Sequence, residues 1–186
     1  MLPETLTSIG QSLFAKCTSL ETITLPANLK ILNNHVFSGC TALSSIVIPG
    51  KVESIGNQAF NNASSLKSVI IPAAVTFMDN YAFTNASGLE SIVFENNSML
   101  ETLGNQVFKG CASLKSVDLS VALDLKAIGS RAADRQGLEG GAGGQAERGA
   151  DADPRLRVPA RGVQRQVPHR LHPHRRGNAA DGAVTQ

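Results

Sequence analysis

The sequence predicts an α/β solenoid, in which short parallel strands and short helical turns stack around one shared core. Two observations lead to this prediction. Apolar residues recur with a period of 23 residues over the first 130 positions. Within each period, a strand-like segment is followed by a segment with helical spacing. The pattern stops near residue 130, where the composition also changes.

Phenylalanine sets the register of this repeat. Four phenylalanines are 23 positions apart and a fifth follows after 25, at Phe14, Phe37, Phe60, Phe83 and Phe108. Six further apolar columns keep the same register, at three, six, nine and eleven residues after each phenylalanine and at five and eight residues before it. The agreement predicts stacked coils with one common interior, because a single coil is too small to bury its own apolar side chains.

Each repeat contains one segment that is typical of a short strand. Between Leu20 and Leu25, Ile23 and Leu25 occupy alternating positions that suit inward-facing side chains. Proline then ends the segment, because it cannot donate a hydrogen bond to a neighbouring strand. Three segments are followed in this way by Pro26, Pro49 and Pro72. We expect the strands to form a parallel sheet with neighbours about 4.8 Å apart.

The other side of each coil has helical spacing. In the third repeat, Ile55, Ala59, Phe60 and Ala63 follow one another at offsets that favour one short α-helical or 3-10 turn. The step from the fourth to the fifth repeat carries two extra residues around positions 95–99 and lacks the proline. We therefore expect a bulged loop at the rim of the solenoid there.

The whole unit reads L-P-x-x-[LV]-x-x-I-G-x-x-[AV]-F-x-x-[CA]-x-x-L-x-[ST]-[IV]-x-[IL]-P, and it resembles the BspA-like leucine-rich repeat family over residues 2–132. The resemblance implies a right-handed leucine-rich repeat superhelix. Its short parallel strands would lie on the concave face and its short helical or 3-10 turns on the convex face. The resemblance also implies a cell-surface protein that binds host or matrix proteins, or other cells.

The last 56 residues differ from the repeats in composition and charge. Residues 1–130 carry seven Lys and nine acidic residues, whereas residues 131–186 carry ten Arg and six acidic residues, so their net charges are −2 and +4. We therefore divide the chain into an array of about five repeats with partial ends, 1–130, and a low-complexity tail, 131–186. The tail has few large apolar residues, which predicts either a natural disordered segment or a sequence read in a shifted frame.

The outward columns of the predicted strands are the candidate binding surface. One column is rich in hydroxyl residues and the other in β-branched residues, and both would run along the concave face. Val47, Ile70 and Val93 would form an exposed apolar strip of the kind that marks binding sites. The structural alternative is that β-branched residues simply suit strands. The candidates are Thr22, Thr24, Ser45, Val47, Ser68, Ile70, Ser91, Val93, Ser116 and Asp118.

Three cysteines share the column three residues after the phenylalanine. Cys17, Cys40 and Cys111 alternate there with Ala63 and Ala86. This exchange with alanine predicts small buried thiols. A disulfide between Cys17 and Cys40, in adjacent coils, is also geometrically conceivable. No histidine or acidic column lies beside them, so we expect no metal site.

The array shows no catalytic constellation. His35 is its single histidine, and no nucleophile or carboxylate column accompanies it. The sequence thus predicts a non-enzymatic module that binds a host, matrix or neighbouring-cell protein, with no cofactor, nucleic acid or small-molecule substrate. We expect it at the cell surface or secreted, although no signal peptide is visible; membrane attachment would need an anchor outside this sequence. The alternative is an intracellular leucine-rich repeat scaffold without catalytic activity.

Overall fold

The computed structural model describes residues 2–132, 156–157 and 164–165, and the repeats form a parallel β-solenoid of about five turns. Each coil contributes a strand to each of two faces. The first face holds β1 (Thr22–Ile23), β3 (Ser45–Ile46), β5 (Ser68–Ile71), β7 (Ser91–Phe94), β9 (Val117–Asp118) and β11 (Leu156–Arg157). The second face holds β2 (Ile31–Leu32), β4 (Ser54–Ile55), β6 (Phe77–Met78), β8 (Thr102–Leu103), β10 (Ala127–Ile128) and β12 (Gln164–Arg165).

The two faces differ in continuity. The second face is one parallel sheet in the order β12-β10-β8-β6-β4-β2, whereas the first face consists of the pairs β1-β3, β5-β7 and β9-β11. Backbone hydrogen bonds beside the first-face strands continue across the gap between β3 and β5. The amide of Ser44 donates to the carbonyl oxygen of Glu21 over 3.0 Å, between the coils of β1 and β3. The amide of Lys67 donates to the carbonyl oxygen of Ser44 over 3.4 Å, across the gap between β3 and β5. The coils of β3 and β5 are therefore held together although their strands do not pair.

The predicted phenylalanine row is confirmed. The rings stack from coil to coil with centroid separations of 5.5, 5.4, 4.9 and 6.0 Å. Four of the rings are completely buried, and the exception, Phe14, is partly buried in the first coil. The aliphatic columns surround this row in one continuous core. The rings belong to Phe14, Phe37, Phe60, Phe83 and Phe108.

The predicted helical or 3-10 turns do not form helices. Residues 2–132 contain strands and turns but no α-helix or 3-10 helix. In the third coil, Gln58 and Asn62 have positive φ angles of 53° and 59°. These left-handed residues interrupt the run of right-handed residues that a helix requires. The amides of Ala59 and Ala63 donate to the carbonyls of Gly56 and Phe60, three residues earlier, as in single 3-10 turns. The amide of Phe60 between them donates to Ala82 of the next coil, so consecutive bonds of this type do not follow one another. These turns produce the spacing that resembled a helix.

The loop predicted between the fourth and fifth repeats is present as a turn at Asn96 and Asn97. Asn97 has a φ of 59°, which asparagine tolerates better than most residues. Glu95 replaces the proline of other repeats, and its carboxylate accepts a hydrogen bond from the Ala73 amide over 3.0 Å. The two extra residues are thus accommodated without breaking the stack.

The tail from residue 131 lies outside the described residues, except for Arg131, Ala132 and the two short strands β11 and β12. These strands pair in parallel with β9 and β10, respectively. The prediction of a disordered tail falls on the remaining positions and stays a prediction. Among the residues that the structure describes, no helix is long and apolar enough to cross a membrane.

Candidate binding surface

Strand alternation decides which side chains of the first face meet solvent. In β5, Val69 and Ile71 are buried, whereas Ser68 and Ile70 are exposed. β7 repeats this pattern, because successive residues of a strand point to opposite sides of a sheet. The inward residues join the core and thereby hold the outward residues in regular columns.

An apolar strip runs over three successive coils of the first face. Val47, Ile70 and Val93 are 81%, 58% and 53% exposed. Ile70 lies directly opposite Val93 in the register of β5 and β7. Val47 occupies the equivalent position of the preceding coil. We call these three residues the apolar strip.

A column of hydroxyl side chains lies beside the apolar strip. Thr22 is opposite Ser45, and Ser68 is opposite Ser91. All ten residues predicted from the sequence are exposed: Thr22, Thr24, Ser45, Val47, Ser68, Ile70, Ser91, Val93, Ser116 and Asp118. In the described part of the chain, strand pairing is interrupted between β3 and β5 and between β7 and β9. The ten residues therefore lie in aligned groups rather than on one uninterrupted sheet.

The outward columns are uncharged from Thr22 to Val93, and Asp118 is their one charged residue. The backbone amide of Ser120 donates to the Asp118 carboxylate over 2.9 Å. This bond is the main cause that lowers the pKa of Asp118, with smaller contributions from the Ser120 hydroxyl and the Arg157 charge. Beside the columns, Lys67 and Glu90 form an ion pair at 3.4 Å. The surface is thus neutral in its centre and charged at its margins.

The second face carries exposed residues that sequence reasoning missed. Ile31 and Phe77 are 43% and 40% exposed, and Ser54 lies between them in the register of β2, β4 and β6. The column six residues before each phenylalanine mixes polar and apolar residues, so it gave no repeating signal. The only available signal was the unusual Phe77 at a position that is polar in the neighbouring repeats.

The described residues offer no cluster for a metal ion, and their cysteines differ in exposure. They contain no group of three or more His, Cys, Asp and Glu side chains that could hold a metal ion. Cys40 and Cys111 are buried, as predicted, but the prediction is wrong for Cys17, which is exposed. The reason is its position in the first coil, where only the second coil packs against it. The two buried thiols donate to the carbonyls of Phe14 and Phe83 in the preceding coils.

A parallel solenoid with these internal columns defines a leucine-rich repeat protein. The chain matches the family described as BspA type Leucine rich repeat region. The match comprises six copies of the repeat, over residues 1–115 and 89–135. The chain belongs to this family. Proteins built from leucine-rich repeats are a type of protein-interaction module, and they are generally non-catalytic.

Two solved structures show the same architecture. A leucine-rich repeat protein from Bacteroides ovatus is 37% identical, with a TM-score of 0.63 over 69% of this chain and 32% of that one. The T. pallidum leucine-rich repeat protein is 25% identical, with a TM-score of 0.51 over 59% of this chain and 58% of that one. The chain thus spans about a third of the length of the first protein. No curated protein matches the chain by sequence.

Proposed function

We propose that the first face binds a protein partner, with the apolar strip at the centre of the contact. The observation that carries this proposal is the exposure of Val47, Ile70 and Val93, each by more than half, on successive coils. Exposed apolar surface is unfavourable by about 25 cal/mol per Å² relative to burial. A strip of such residues on successive coils therefore favours being covered by a partner.

The surroundings of the strip suit a protein contact. The hydroxyl column beside it can both donate and accept hydrogen bonds, as the polar rim of an interface does. The five coils that carry the candidate residues, about 4.8 Å apart, span only about 19 Å. A standard interface covers about 800 Å² on each partner. A partner of that size would also contact the margins, where Lys67 and Glu90 lie.

The experiment for this face compares two sets of charge substitutions. Val47→Lys, Ile70→Lys and Val93→Lys together change the apolar strip, while Ile31→Lys and Phe77→Lys change the second face at exposed positions. Binding of labelled protein is measured on an immobilised extracellular-matrix protein preparation and on intact host cells. We expect the triple variant to lose at least about tenfold in affinity, which is about 1.4 kcal/mol, and the second-face variant to bind as the original chain does.

Equal losses in both variants, or loss only in the second-face variant, would move the contact away from the strip. If the original chain binds neither the matrix preparation nor the cells, the adhesion role is wrong. Circular dichroism of each variant shows whether the solenoid is intact, so that a folding defect is not mistaken for a binding defect.

We also propose that the protein acts at the cell surface. Membership of the BspA-type family supports this location, since the resemblance implies surface proteins that contact hosts or other cells. The test treats intact source cells with a protease and detects the chain with an antibody. Removal of the chain from intact cells supports the surface location, whereas protection until the cells are lysed favours the intracellular scaffold.

A further inference from the structure

Two cysteines meet at the junction of the first and second coils. Cys17 is exposed, and Cys40 follows it by 23 residues and is completely buried. The Cys40 Sγ atom lies 3.0 Å from the carbonyl oxygen of Phe14. The same oxygen accepts a hydrogen bond from the backbone amide of Cys17 over 3.1 Å. The Cys40 sulfur is therefore directed at the stretch of backbone that carries Cys17.

The backbones of the two coils run side by side at this point. The amide of Phe14 donates a hydrogen bond to the carbonyl oxygen of Val36 over 3.0 Å. The amide of Lys16 donates one to the carbonyl oxygen of Ser38 over 2.7 Å. The stacked rings of Phe14 and Phe37, in the same two coils, have centroids 5.5 Å apart. Disulfides usually join Cα atoms that are about 4.4–6.8 Å apart. The spacing of the two coils thus falls within the range that a disulfide needs.

We propose that Cys17 and Cys40 form a disulfide under oxidising conditions, and that this bond fastens the first coil to the second. Such a bond would stabilise the first coil more than it would the other coils. Leu13 is 53% exposed, whereas Val36, at the same position of the second coil, is fully buried. A segment with fewer buried contacts opens more readily than the rest of a domain, and a covalent link restricts that opening.

The reaction needs an oxidant, which we take to be a low-molecular-weight disulfide. The thiolate of Cys17 attacks one sulfur of that disulfide, releases one thiolate and leaves a mixed disulfide on Cys17. The thiolate of Cys40 then attacks the Cys17 sulfur and displaces the second small thiol. The protein loses two protons and two electrons, and the small disulfide is reduced to two thiols.

Burial explains which thiol acts first. Desolvation raises the pKa of the Cys40 thiol to about 11, so little of it is ionised at neutral pH. Cys17 is the exposed group and meets the oxidant first. Closure by Cys40 is the slower step, and its rate rises about tenfold per pH unit below the pKa of Cys40, because the thiolate is the attacking form.

Cys111 provides a matched control within the same chain. It occupies the same column, is buried, and lies with its sulfur 3.1 Å from the Phe83 carbonyl. Residue 86, which stands to Cys111 as Cys17 stands to Cys40, is alanine. The column and the carbonyl contact of the sulfur are therefore the same, but the adjacent coil carries no thiol in this column, so Cys111 should not be oxidised to an intramolecular disulfide.

The test incubates the full chain with oxidised glutathione under native conditions, followed by acid quenching, alkylation and mass spectrometry. We expect the loss of two hydrogens, and a link between the tryptic peptides 17–30 and 31–51, in the original chain and in Cys111→Ser but not in Cys17→Ser. Hydrogen exchange at residues 14–17 should slow by about tenfold in the oxidised chain.

Several results would overturn the proposal. A glutathione adduct that stays on Cys17 without closing shows that Cys40 cannot reach it. A disulfide that includes Cys111 shows that the pairing is not set by the column. A closed Cys17–Cys40 bond with unchanged exchange at residues 14–17 shows that the bond does not fasten the first coil. None of these readouts depends on partner binding.

Discussion

The ring of Phe60 lies almost parallel to that of Phe83, with 4.9 Å between centroids and 7° between planes. This separation is close to the spacing of about 4.8 Å between hydrogen-bonded strands. The interior ring stack and the outer sheets therefore rise by the same amount per coil at this step. The next step, from Phe83 to Phe108, spans the two extra residues, and there the centroids are 6.0 Å apart and the planes 24° apart.

Removing one ring from the middle of the row should destabilise the whole solenoid. We expect Phe60→Ala to lower the free energy of unfolding by about 3–5 kcal/mol, because it leaves a cavity between two buried neighbours. Phe77→Ala is the control, since that ring is 40% exposed, and it should cost about 1 kcal/mol or less. Urea unfolding followed by circular dichroism measures both. Equal losses of unfolding free energy in the two variants would show that a ring of the interior row contributes no more to stability than the partly exposed Phe77.

The solenoid and its core could be predicted because inward columns must stay apolar in every coil. Phe37, Leu43 and Ile46 are buried where the period placed them. The helical turns could not be separated from other turns by spacing alone. An offset of three to four residues arises equally from hydrogen bonds between residues three apart, as between Ala59 and Gly56. The left-handed residues that distinguish the two cases, such as Gln58, are not signalled by their type.

The strands of the second face could not be predicted from spacing alone either. Its strands are two residues long, so they are too short to show an alternating pattern. The spacing predicts a helical turn that starts at Ile55, whereas Ile55 is the inward residue of β4. On the first face, the four-residue strands gave the alternation that located Ile70 and Val93. The column that contacts a partner stays a prediction. A repeat pattern indicates which residues are buried and not which exposed residues contact another protein.

Close packing between coils makes one glycine column sensitive to substitution. A Cβ atom on Gly104 would lie 2.6 Å from the backbone N of Asn80 in the preceding coil. Backbone cannot move aside cheaply, so Gly104→Ala should cost roughly 1–3 kcal/mol of stability. Gly10 occupies the same column in the first coil and has nothing within 4 Å of its Cβ position. Gly10→Ala should therefore stay within about 0.5 kcal/mol.

Thermal and urea unfolding of the two glycine variants provide the comparison. Gly50→Ala is a second control, because a Cβ atom there also meets nothing within 4 Å. If Gly104→Ala is as stable as the two controls, the coils are less tightly apposed than the structure indicates.

The turn two residues after each phenylalanine requires a left-handed residue. Gly39 has a φ of 75°, and Asn62 and Asn85 have 59° at the equivalent positions. Gly39→Asn should therefore cost little, within about 1 kcal/mol, since asparagine enters this region readily. Gly39→Val should cost about 2 kcal/mol or more, because β-branched residues avoid it. Space does not decide the outcome, as the nearest atoms of Lys16 are 3.5 Å from the Cβ position. Similar unfolding free energies for the two variants would contradict this interpretation.

Ser120 offers a test of the electrostatics at the end of the first face. Its amide bond to the carboxylate is the largest cause that lowers the pKa of Asp118 below the ordinary 3.8. Ser120 occupies the column where Pro26, Pro49 and Pro72 end their strands. Ser120→Pro should therefore be compatible with the fold while removing both the amide donor and the hydroxyl. We expect the pKa of Asp118 to rise toward 3.8 in this variant, and to rise by less in Ser120→Ala, which keeps the amide.

The sign of the linked effect on stability follows from the lowered pKa. A carboxyl group whose pKa is lower in the folded chain stabilises the fold at a pH above its ordinary pKa. That contribution is lost as the pH falls through the folded value. Ser120→Pro should thus lack this small contribution at neutral pH. In acid the original chain loses it as well, so the difference in stability between the two chains should shrink to the effect of the proline itself. Carboxyl carbon shifts of Asp118, followed by NMR between neutral pH and acid, measure the pKa directly. An unchanged titration in Ser120→Pro would show that the amide of residue 120 does not hold this carboxylate.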